Sequence, residues 1–339
     1  MSRSKLDVFL RFGPTRQHKV GQLALIERDI VFQYDPSFID LGLTISPFRL
    51  PVQPGMQVYD RRGDMESFGV FEDAMPDSWG RRLVDRHFQK TLGRPPGILE
   101  RLAFVGERAM GALTFHPPEE EPAIPGHELD LAALAAQAWD FDSDRVEDAL
   151  PDLRRVAGTS GGARPKVLLG FPAARSSKKV LPADGELPEG FAHWIVKFNS
   201  RAEVKDSGPL EFAYAELARA AKAEVPEHRL IETSKGRFFA TRRIDRGERG
   251  ERIHLHLAAG LLHINFRTPG NEYAILFKVI DSLTQDYGQK RELFRRVCLN
   301  VLACNRDDHL KNFTFLMDRG GKWRLSPLFD FTFHTGPGG

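Results

Sequence analysis

The sequence is poor in cysteine and tyrosine, has no long apolar run and carries no large excess of charge. Its two cysteines, Cys298 and Cys304, lie six residues apart in one helical pattern. Their side chains therefore point in different directions and should not pair. Because zinc-site spacing is also absent, this cysteine usage fits a reducing compartment.

Charge and hydropathy argue against two classes of protein. A net charge of +2 is too small to indicate nucleic-acid binding by itself. No apolar stretch is long enough to span a bilayer, and residues 1–8 lack the apolar core of a signal peptide. We therefore expect a cytoplasmic protein without a membrane partner.

The length and one Pro- and Glu-rich segment predict several domains. A chain of 339 residues corresponds to two or three domains of about 150 residues. His116–His127 has the composition of a linker. Mixed patterns come first, strands dominate the middle and helices follow, which favours an α+β fold with two lobes in its second part. The predicted units are an N-terminal domain (1–116), a linker (117–130), a first lobe (131–246) and a second lobe (247–339).

Hydrophobic periodicity predicts the individual elements. The predicted strands are Val20–Leu25, Asp29–Tyr34, Val167–Gly170, Trp194–Phe198, Phe238–Ile244, Phe313–Met317 and Lys322–Phe329. The predicted helical stretches are Phe71–Gln89, where the helix should begin around Met75–Ser78, and Asp130–Trp139, Glu211–Ala223 and Ile253–Cys304. Asp77 or Ser78 is the expected N-cap of the first helix. Phe212, Leu217 and Ala220 are the expected inward positions of the third, and Asp318–Gly321 should join the last two strands as a hairpin.

The strongest chemical signal is the segment from Asn305 to Asn312, which reads NRDDHLKN. Asp307 and Asn312 have the D-x-x-x-x-N spacing of a kinase catalytic loop, where the Asp accepts the proton of the substrate hydroxyl and the Asn holds Mg²⁺. The hairpin that begins at Asn312 returns to Asp330, so both side chains should lie on the same side. Two hard oxygen ligands of this kind are what a Mg²⁺–ATP site needs.

Two other interpretations of this loop remain open. The segment from Asn305 to Asn312 could simply be a polar loop that caps a helix. Asp307, Asp308 and His309 could instead be the ligands of a metal hydrolase, although no further His/Asp cluster stands close by in the sequence.

Two upstream segments could complete a nucleotide site. Lys197 lies inside an apolar strand and could contact phosphate, with Glu211 on the next helix as its ion-pair partner. The alternative is a lysine that extends from an edge strand into solvent. The backbone amides of the loop Gly158–Gly162, which contains Thr159, Ser160, Gly161 and Gly162, could cradle phosphate close to Lys166, or the loop could be an ordinary turn.

Taken in order, these segments resemble the HipA family of toxin kinases. The matching segments are Arg164–Lys166, Trp194–Phe198, the hinge-like Arg242–Arg246, the loop residues Asp307, His309, Lys311 and Asn312, and Ser326–Asp330. Segments between Val20 and Leu113 resemble the small domain that precedes the kinase core, so the likeness covers nearly the whole chain.

The resemblance implies an activity and its cofactors. The expected reaction is ATP- and Mg²⁺-dependent phosphorylation of Ser or Thr on a protein, with Asp307, Lys197 and Glu211 as catalytic residues and Asn312 and Asp330 as metal ligands. The nucleotide would also contact the loop Thr159–Gly162 and Lys166, and, in the hinge and the catalytic loop, Arg243, Ile244, Asp245, His309 and Lys311. The family's hinge holds adenine through its backbone and ribose through its Asp, here Asp245.

The resemblance also implies partners and regulation. The chain would be a growth-arresting toxin that acts on a translation protein such as glutamyl-tRNA synthetase or another aminoacyl-tRNA synthetase. Its partner would be a HipB-like helix-turn-helix antitoxin, which provides most of the contact with operator DNA. The family phosphorylates a serine in its own phosphate loop, and the equivalent hydroxyl here is Thr159, with Ser160 as the neighbouring candidate.

The sequence departs from the family pattern at three points. Asp308 replaces a glycine, and Ile244 stands where phenylalanine is common. Only nine residues follow Asp330, where the family continues with several helices, so we expect apolar surface to be uncovered on residues 253–304. A small-molecule kinase of the aminoglycoside-phosphotransferase type and an inactive kinase-like interaction module are the alternative functions.

Overall fold

The computed structural model describes residues 4–61, 65–119, 128–146, 151–157, 164–173, 179–200, 206–265 and 273–334. The predicted phosphate loop, Gly158–Gly162, lies outside these ranges, as does most of the Pro- and Glu-rich segment. No helix within the described ranges is long and apolar enough to cross a membrane.

The N-terminal part contains a five-stranded antiparallel sheet with the order β4-β3-β2-β1-β5. Its strands are β1 (Lys5–Gly13), β2 (Arg16–Ile26), β3 (Asp29–Tyr34), β4 (Met56–Val58) and β5 (Leu113–His116). Alternate residues of β1, including Leu6, Val8 and Leu10, are buried because successive side chains of a strand point to opposite faces. The two strands predicted around the turn after Ile26 are confirmed as β2 and β3.

Four helices accompany this sheet: α1 (Pro36–Ile39), α2 (Gly69–Glu72), α3 (Ser78–Leu92) and α4 (Ile98–Val105). The helix predicted within Phe71–Gln89, beginning around Met75–Ser78, is confirmed as α3, and a separate short helix, α2, ends before it at Glu72. Pro76 disfavours helix in the residue before it, and Asp77 caps α3 by accepting a hydrogen bond from the Gly80 amide at 2.6 Å.

The middle of the chain forms a second sheet with the order β7-β6-β8-β10-β9. Its strands are β6 (Lys166–Pro172), β7 (Leu181–Pro182), β8 (Phe191–Lys197), β9 (His228–Thr233) and β10 (Gly236–Arg242). The accompanying helices are α5 (Leu131–Asp142), α6 (Pro151–Val156) and α7 (Ser207–Ala220).

The inward face predicted for α7 is wrong. Leu217 is 47% exposed, whereas Glu211, Ala215 and Ala218 are buried. The buried positions follow the helical repeat. Glu211 pairs with Arg164 and Lys197, and Ala218 packs in a small core with Leu299, Leu328 and Phe331.

The last part contains β11 (His254–Leu257), α8 (Ala258–Leu262), α9 (Tyr273–Thr284), α10 (Tyr287–Leu302), a 3₁₀ turn (Leu310–Asn312), β12 (Thr314–Met317) and β13 (Trp323–Leu325). The strands form a sheet of order β11-β12-β13. The helical pattern predicted from Ile253 therefore begins instead as a strand, which pairs with β12. The hairpin predicted around Asp318–Gly321 is confirmed by the β12–β13 pairing.

One face of α10 is apolar and exposed. Tyr287, Phe294 and Val301 follow each other at intervals of seven residues and are 73%, 62% and 67% exposed. Such a repeat places all three side chains on one side of the helix. The apolar surface expected within residues 253–304 is therefore present.

Two hydrophobic cores join parts that are distant in sequence. The first unites the N-terminal sheet, through residues such as Phe32 and Phe115, with Leu261 of α8 and Phe315 of β12. The second packs Trp79 and Leu83 of α3, with residues of α5, against the apolar face of β6, β8 and β10. The N-terminal part is thus packed against both lobes.

Candidate active site

Successive side chains of a strand point to opposite faces, which decides which residues of the second sheet face a cavity. In β8, Trp194 and Val196 enter the second core, whereas Ile195 and Lys197 line a cavity of about 740 Å³. Lys166 of β6 lies directly opposite Lys197 on the neighbouring strand and lines the same cavity. Two lysines in opposite positions repel each other unless anions compensate them.

Carboxylates meet Lys197 from two directions. Its ammonium donates a hydrogen bond to Glu211 Oε1 at 2.5 Å and also contacts Asp330 Oδ1. Burial lowers the pKa of Lys197 below its ordinary value, and the charge of Glu211 opposes that shift. The predicted Lys197–Glu211 pair is therefore formed, and it connects β8 to α7.

Glu211 has a second cationic partner that the sequence did not indicate. Arg164 Nη1 donates a hydrogen bond to Glu211 Oε2 at 2.8 Å, and Arg164 Nε donates to the Phe198 carbonyl oxygen at 2.7 Å. Arg164 therefore ties the residue before β6 to the end of β8 and to α7. The only signal for it was the Arg164–Lys166 motif.

Lys166 is paired with a residue of the N-terminal part. Its Nζ lies 3.1 Å from Asp77 Oδ2, and the two side chains are only 3% and 1% exposed. Burial raises the pKa of Asp77, while Lys166 acts in the opposite direction. Asp77 was predicted as a helix cap, which it is, but its ion pair across 89 residues was not predicted.

The catalytic-loop candidates Asp307 and Asn312 line the same cavity. The side chain of Asp307 is 51% exposed, and His309 Nε2 lies 3.6 Å from its Oδ1. Asn312 Nδ2 donates to the Asp307 carbonyl at 2.5 Å, which closes the loop between the two residues. Asp307 therefore presents a carboxylate to the cavity while its backbone is held.

The β12–β13 hairpin brings Asp330 to the same cavity. Asp318 Oδ1 accepts hydrogen bonds from the amides of Gly320 and Lys322 at 2.8 and 3.0 Å, which stabilise the turn. After the hairpin, Phe331 is buried and packs on the ring of Tyr214 in α7, with centroids 5.3 Å apart. This buried ring anchors the segment in which Asp330 faces Lys197.

Most of the predicted site residues meet at this one cavity. Those that line it are Lys166, Lys197, Glu211, Ile244, Asp307, His309, Lys311, Asn312 and Asp330. Thr159, Ser160, Gly161 and Gly162 lie outside the described residues, so their predicted roles stay predictions.

The structure does not bring Arg243 and Asp245 to the cavity wall. Asp245 is fully buried, and its oxygens accept hydrogen bonds from Arg243, Arg246 and the Gly111 amide, the last at 2.6 Å. Burial alone would raise the pKa of Asp245, but the two guanidinium groups hold it below its ordinary value. An aspartate enclosed in this way cannot reach a ribose in this arrangement. The expectation that Asp245 binds the ribose is therefore corrected: Asp245 instead accepts a hydrogen bond from Gly111 in the N-terminal part.

The residues fit Mg²⁺–ATP by their chemistry. Asn312 and Asp330 offer oxygen ligands, and Lys166 and Lys197 offer charge for phosphate. Ile195, Phe239 and Ile244 give the same cavity apolar surface for a flat ring. The described residues contain no group of three or more His, Cys, Asp or Glu side chains that could hold a metal ion by themselves.

Two family models match the chain. The HipA N-terminal domain matches residues 14–116, and the HipA-like C-terminal domain matches residues 158–338, which is more than half of the chain. This protein belongs to the HipA family. The family predicted from the motifs is thereby confirmed.

Two curated relatives of this HipA-family chain are provisionally named kinases. Y4dM of Sinorhizobium fredii is 25% identical over 288 residues, which cover 78% of this chain and 63% of Y4dM. A protein of Haemophilus influenzae is 28% identical over 135 residues, which cover 36% of this chain and 39% of that protein. The chain thus spans less than two thirds of the length of these relatives.

A solved structure shares the fold. HipA of Shewanella oneidensis, determined in complex with HipB and operator DNA, superposes with a TM-score of 0.66 over 97% of this chain and 76% of that one. At 16% identity this likeness establishes the fold. The predicted α+β class, with an N-terminal domain before a HipA kinase-like core, is confirmed.

Proposed function

We propose that this HipA-family chain carries the catalytic site of an ATP- and Mg²⁺-dependent Ser/Thr protein kinase that serves as the toxin of a toxin–antitoxin pair. The observation that supports the proposal is that Asp307, Asn312 and Asp330 line one cavity together with Lys166 and Lys197, and that Asp330 contacts Lys197 there. Phosphoryl transfer needs this combination, because catalysis depends on positioning and on charge stabilisation.

Each side chain has a distinct task in the proposed reaction. The acceptor hydroxyl oxygen forms a bond to the γ-phosphorus of ATP, the bond from that phosphorus to the bridging oxygen of ADP breaks, and the hydroxyl proton passes to Asp307. Lys197, positioned by Glu211, neutralises phosphate charge, and Lys166 adds a second cation. Asn312 and Asp330 would hold Mg²⁺, which neutralises charge on the phosphates when bound.

The proposed partners rest on the family and on the Shewanella structure. That complex contains HipA, HipB and operator DNA, so we propose a helix-turn-helix antitoxin as the partner here, with operator DNA bound mainly through it. The proposed substrate is a protein of translation, such as glutamyl-tRNA synthetase or another aminoacyl-tRNA synthetase.

The test is transfer of γ-phosphate from Mg²⁺–ATP to glutamyl-tRNA synthetase, to a bacterial protein extract and to kanamycin. We expect phosphoserine or phosphothreonine on protein, and Asp307→Ala should reduce the rate by about 10²–10⁴-fold. Asp308→Ala should reduce it much less, because Asp308 does not line the cavity. Phosphorylation of kanamycin alone would favour the small-molecule kinase, and ATP binding without any transfer would favour the inactive module.

A further inference from the structure

Asp308 has a partner outside the cavity. It stands where the resembling family has glycine, next to Asp307, yet it does not line the cavity. Its Oδ2 instead accepts a hydrogen bond from the hydroxyl of Tyr273, the first residue of α9. This contact joins α9 to the catalytic loop.

Tyr273 is held in turn by its surroundings. Its hydroxyl accepts a hydrogen bond from Asn300 Nδ2 of α10 at 3.2 Å. Its ring packs edge-on against Phe313, the residue after Asn312, with centroids 6.0 Å apart. The phenol therefore contacts Asp308 within the loop that contains Asp307, and Phe313 directly after that loop.

The hydrogen bonds continue to Asp307 itself. Asn300 Oδ1 accepts from Asn305 Nδ2 at 3.0 Å, and Asn305 Oδ1 accepts from the Asp307 amide at 3.3 Å. Asn300 and Asn305 are only 4% and 5% exposed, so the middle bond of this chain is buried, while the bonds at its two ends are partly buried. It begins at the amide of Asp307 and ends at the carboxylate of the next residue.

The direction of the bonds is the same throughout. Starting from the Asp307 amide, every group donates to the next, through Asn305, Asn300 and Tyr273, and the last acceptor is the carboxylate of Asp308. An ionised acceptor strengthens the bond that it receives, and aligned hydrogen bonds polarise one another. A glycine at position 308 could not end such a chain.

We propose that Tyr273 and Asp308 are positioning residues that hold the Asp307 backbone in place for phosphoryl transfer, an inference that rests on the proposed kinase function. Asp307 needs this support because its own side chain is half exposed, with His309 no closer than 3.6 Å. A catalytic group must be held to within about 0.5 Å, which its neighbours have to provide.

The first test is Tyr273→Phe, which removes the hydroxyl and keeps the ring against Phe313. We expect kcat to fall about 5- to 30-fold, because one hydrogen bond to a charged group is lost. The KM for Mg²⁺–ATP should change less than about 2-fold, because Lys166 and Lys197 lie on a different sheet. Tyr287→Phe, at a tyrosine that is 73% exposed on α10, is the matched control and should leave both constants unchanged.

The partner residue gives a second, independent test. Asp308→Asn keeps an acceptor oxygen and should retain most of the activity, whereas Asp308→Ala should match the loss in Tyr273→Phe. The double variant Tyr273→Phe/Asp308→Ala should be no slower than the slower single variant, because both changes interrupt one chain of bonds. Additive losses, an unchanged kcat, or a loss confined to KM would overturn the proposal.

Hydrogen exchange separates this inference from the proposed kinase function. The amides of residues 305–312 should exchange faster in Tyr273→Phe and in Asp308→Ala than in the unchanged chain or in Tyr287→Phe. If the unchanged chain transfers phosphate to no acceptor, the kinase proposal fails. Faster exchange in the two variants would still support the role of Tyr273 and Asp308 in holding the Asp307 backbone. Unchanged exchange in both variants would overturn the role of Tyr273 and Asp308 in holding the Asp307 backbone, whether or not the chain transfers phosphate. Asp308 is half-buried, so its variant remains usable if Tyr273→Phe folds poorly.

Discussion

Asp77 forms a buried ion pair with Lys166, so a substitution of Asp77 should change both the stability of the fold and the nucleotide affinity in a predictable direction. In Asp77→Asn the side-chain oxygen that caps α3 through the Gly80 amide is retained, while the negative charge 3.1 Å from Lys166 is lost. Breaking a buried ion pair costs about 3–5 kcal/mol when the remaining charge cannot relax. The Lys166 side chain lines the cavity but is only 3% exposed, so we expect a cost at the lower end of this range, about 3 kcal/mol.

The same substitution should strengthen nucleotide binding. Asp77 and the ATP phosphates compete for Lys166, so removing the Asp77 charge should tighten Mg²⁺–ATP binding by about 3- to 30-fold, since 1.4 kcal/mol corresponds to a factor of ten. Calorimetric titration measures the affinity, and thermal unfolding with and without Mg²⁺–ATP measures the stability. The melting temperature should fall by a few degrees without nucleotide and rise more than in the unchanged chain when nucleotide is added.

A control on the same helix isolates the effect of the buried charge. Asp85→Asn also removes a carboxylate from α3, but Asp85 is paired with Arg101 at 3.0 Å and its side chain is 32% exposed. We expect a cost below about 1 kcal/mol and a smaller gain in affinity than in Asp77→Asn, because Asp85 lines the same cavity but is paired with Arg101 rather than with a lysine. Weaker or unchanged Mg²⁺–ATP binding in Asp77→Asn would refute the competition for Lys166, and unchanged stability would refute the strength assigned to the pair.

Three further predictions concern the metal ligand, the pH dependence and the phosphate loop. Asp330→Ala should abolish Mg²⁺-dependent ATP binding, measured by calorimetry, whereas Asp281→Ala on the outer surface of α9 should not; unchanged affinity in the first variant would remove Asp330 from the site. Burial raises the pKa of Glu72 to about 7, so the folded state binds its proton more tightly than the unfolded state does. The resulting stability is present below pH about 4.5 and is lost as pH rises towards 7, by at most about 3 kcal/mol. Glu72→Gln should flatten this part of a denaturation profile, and an unchanged slope would contradict the assignment. Mass spectrometry after incubation with Mg²⁺–ATP should find phosphate on Thr159 or Ser160, and its absence in a preparation that phosphorylates another protein would exclude self-inactivation.

Local patterns predicted the parts of the site that lie close together in sequence. The five-residue interval from Asp307 to Asn312 and the hairpin that returns to Asp330 depend on turns of a few residues, whose chemistry can be recognised directly. The orientation of Lys197 follows from the alternation of β8, in which its neighbours are apolar. For these residues the sequence was sufficient.

The contacts that the sequence did not predict join distant segments. The pair of Lys166 with Asp77 spans 89 residues, and the bond from the Gly111 amide to Asp245 spans 134 residues. No periodicity within a segment carries information about such partners. The prediction of the buried face of α7 failed for a related reason, because its partners lie on distant segments: Arg164 and Lys197 for Glu211, and Leu299 and Phe331 for Ala218.

The close contact between Gly69 of α2 and Gly260 of α8 bears on how the molecule unfolds. A Cβ on Gly69 would lie 2.0 Å from the Gly260 carbonyl oxygen, so the backbones of the N-terminal part and the second lobe meet without intervening side chains. Around this point one hydrophobic core is shared between the two parts. Loss of either part would expose the apolar surface of the other, so the two should melt in a single cooperative transition rather than as independent modules.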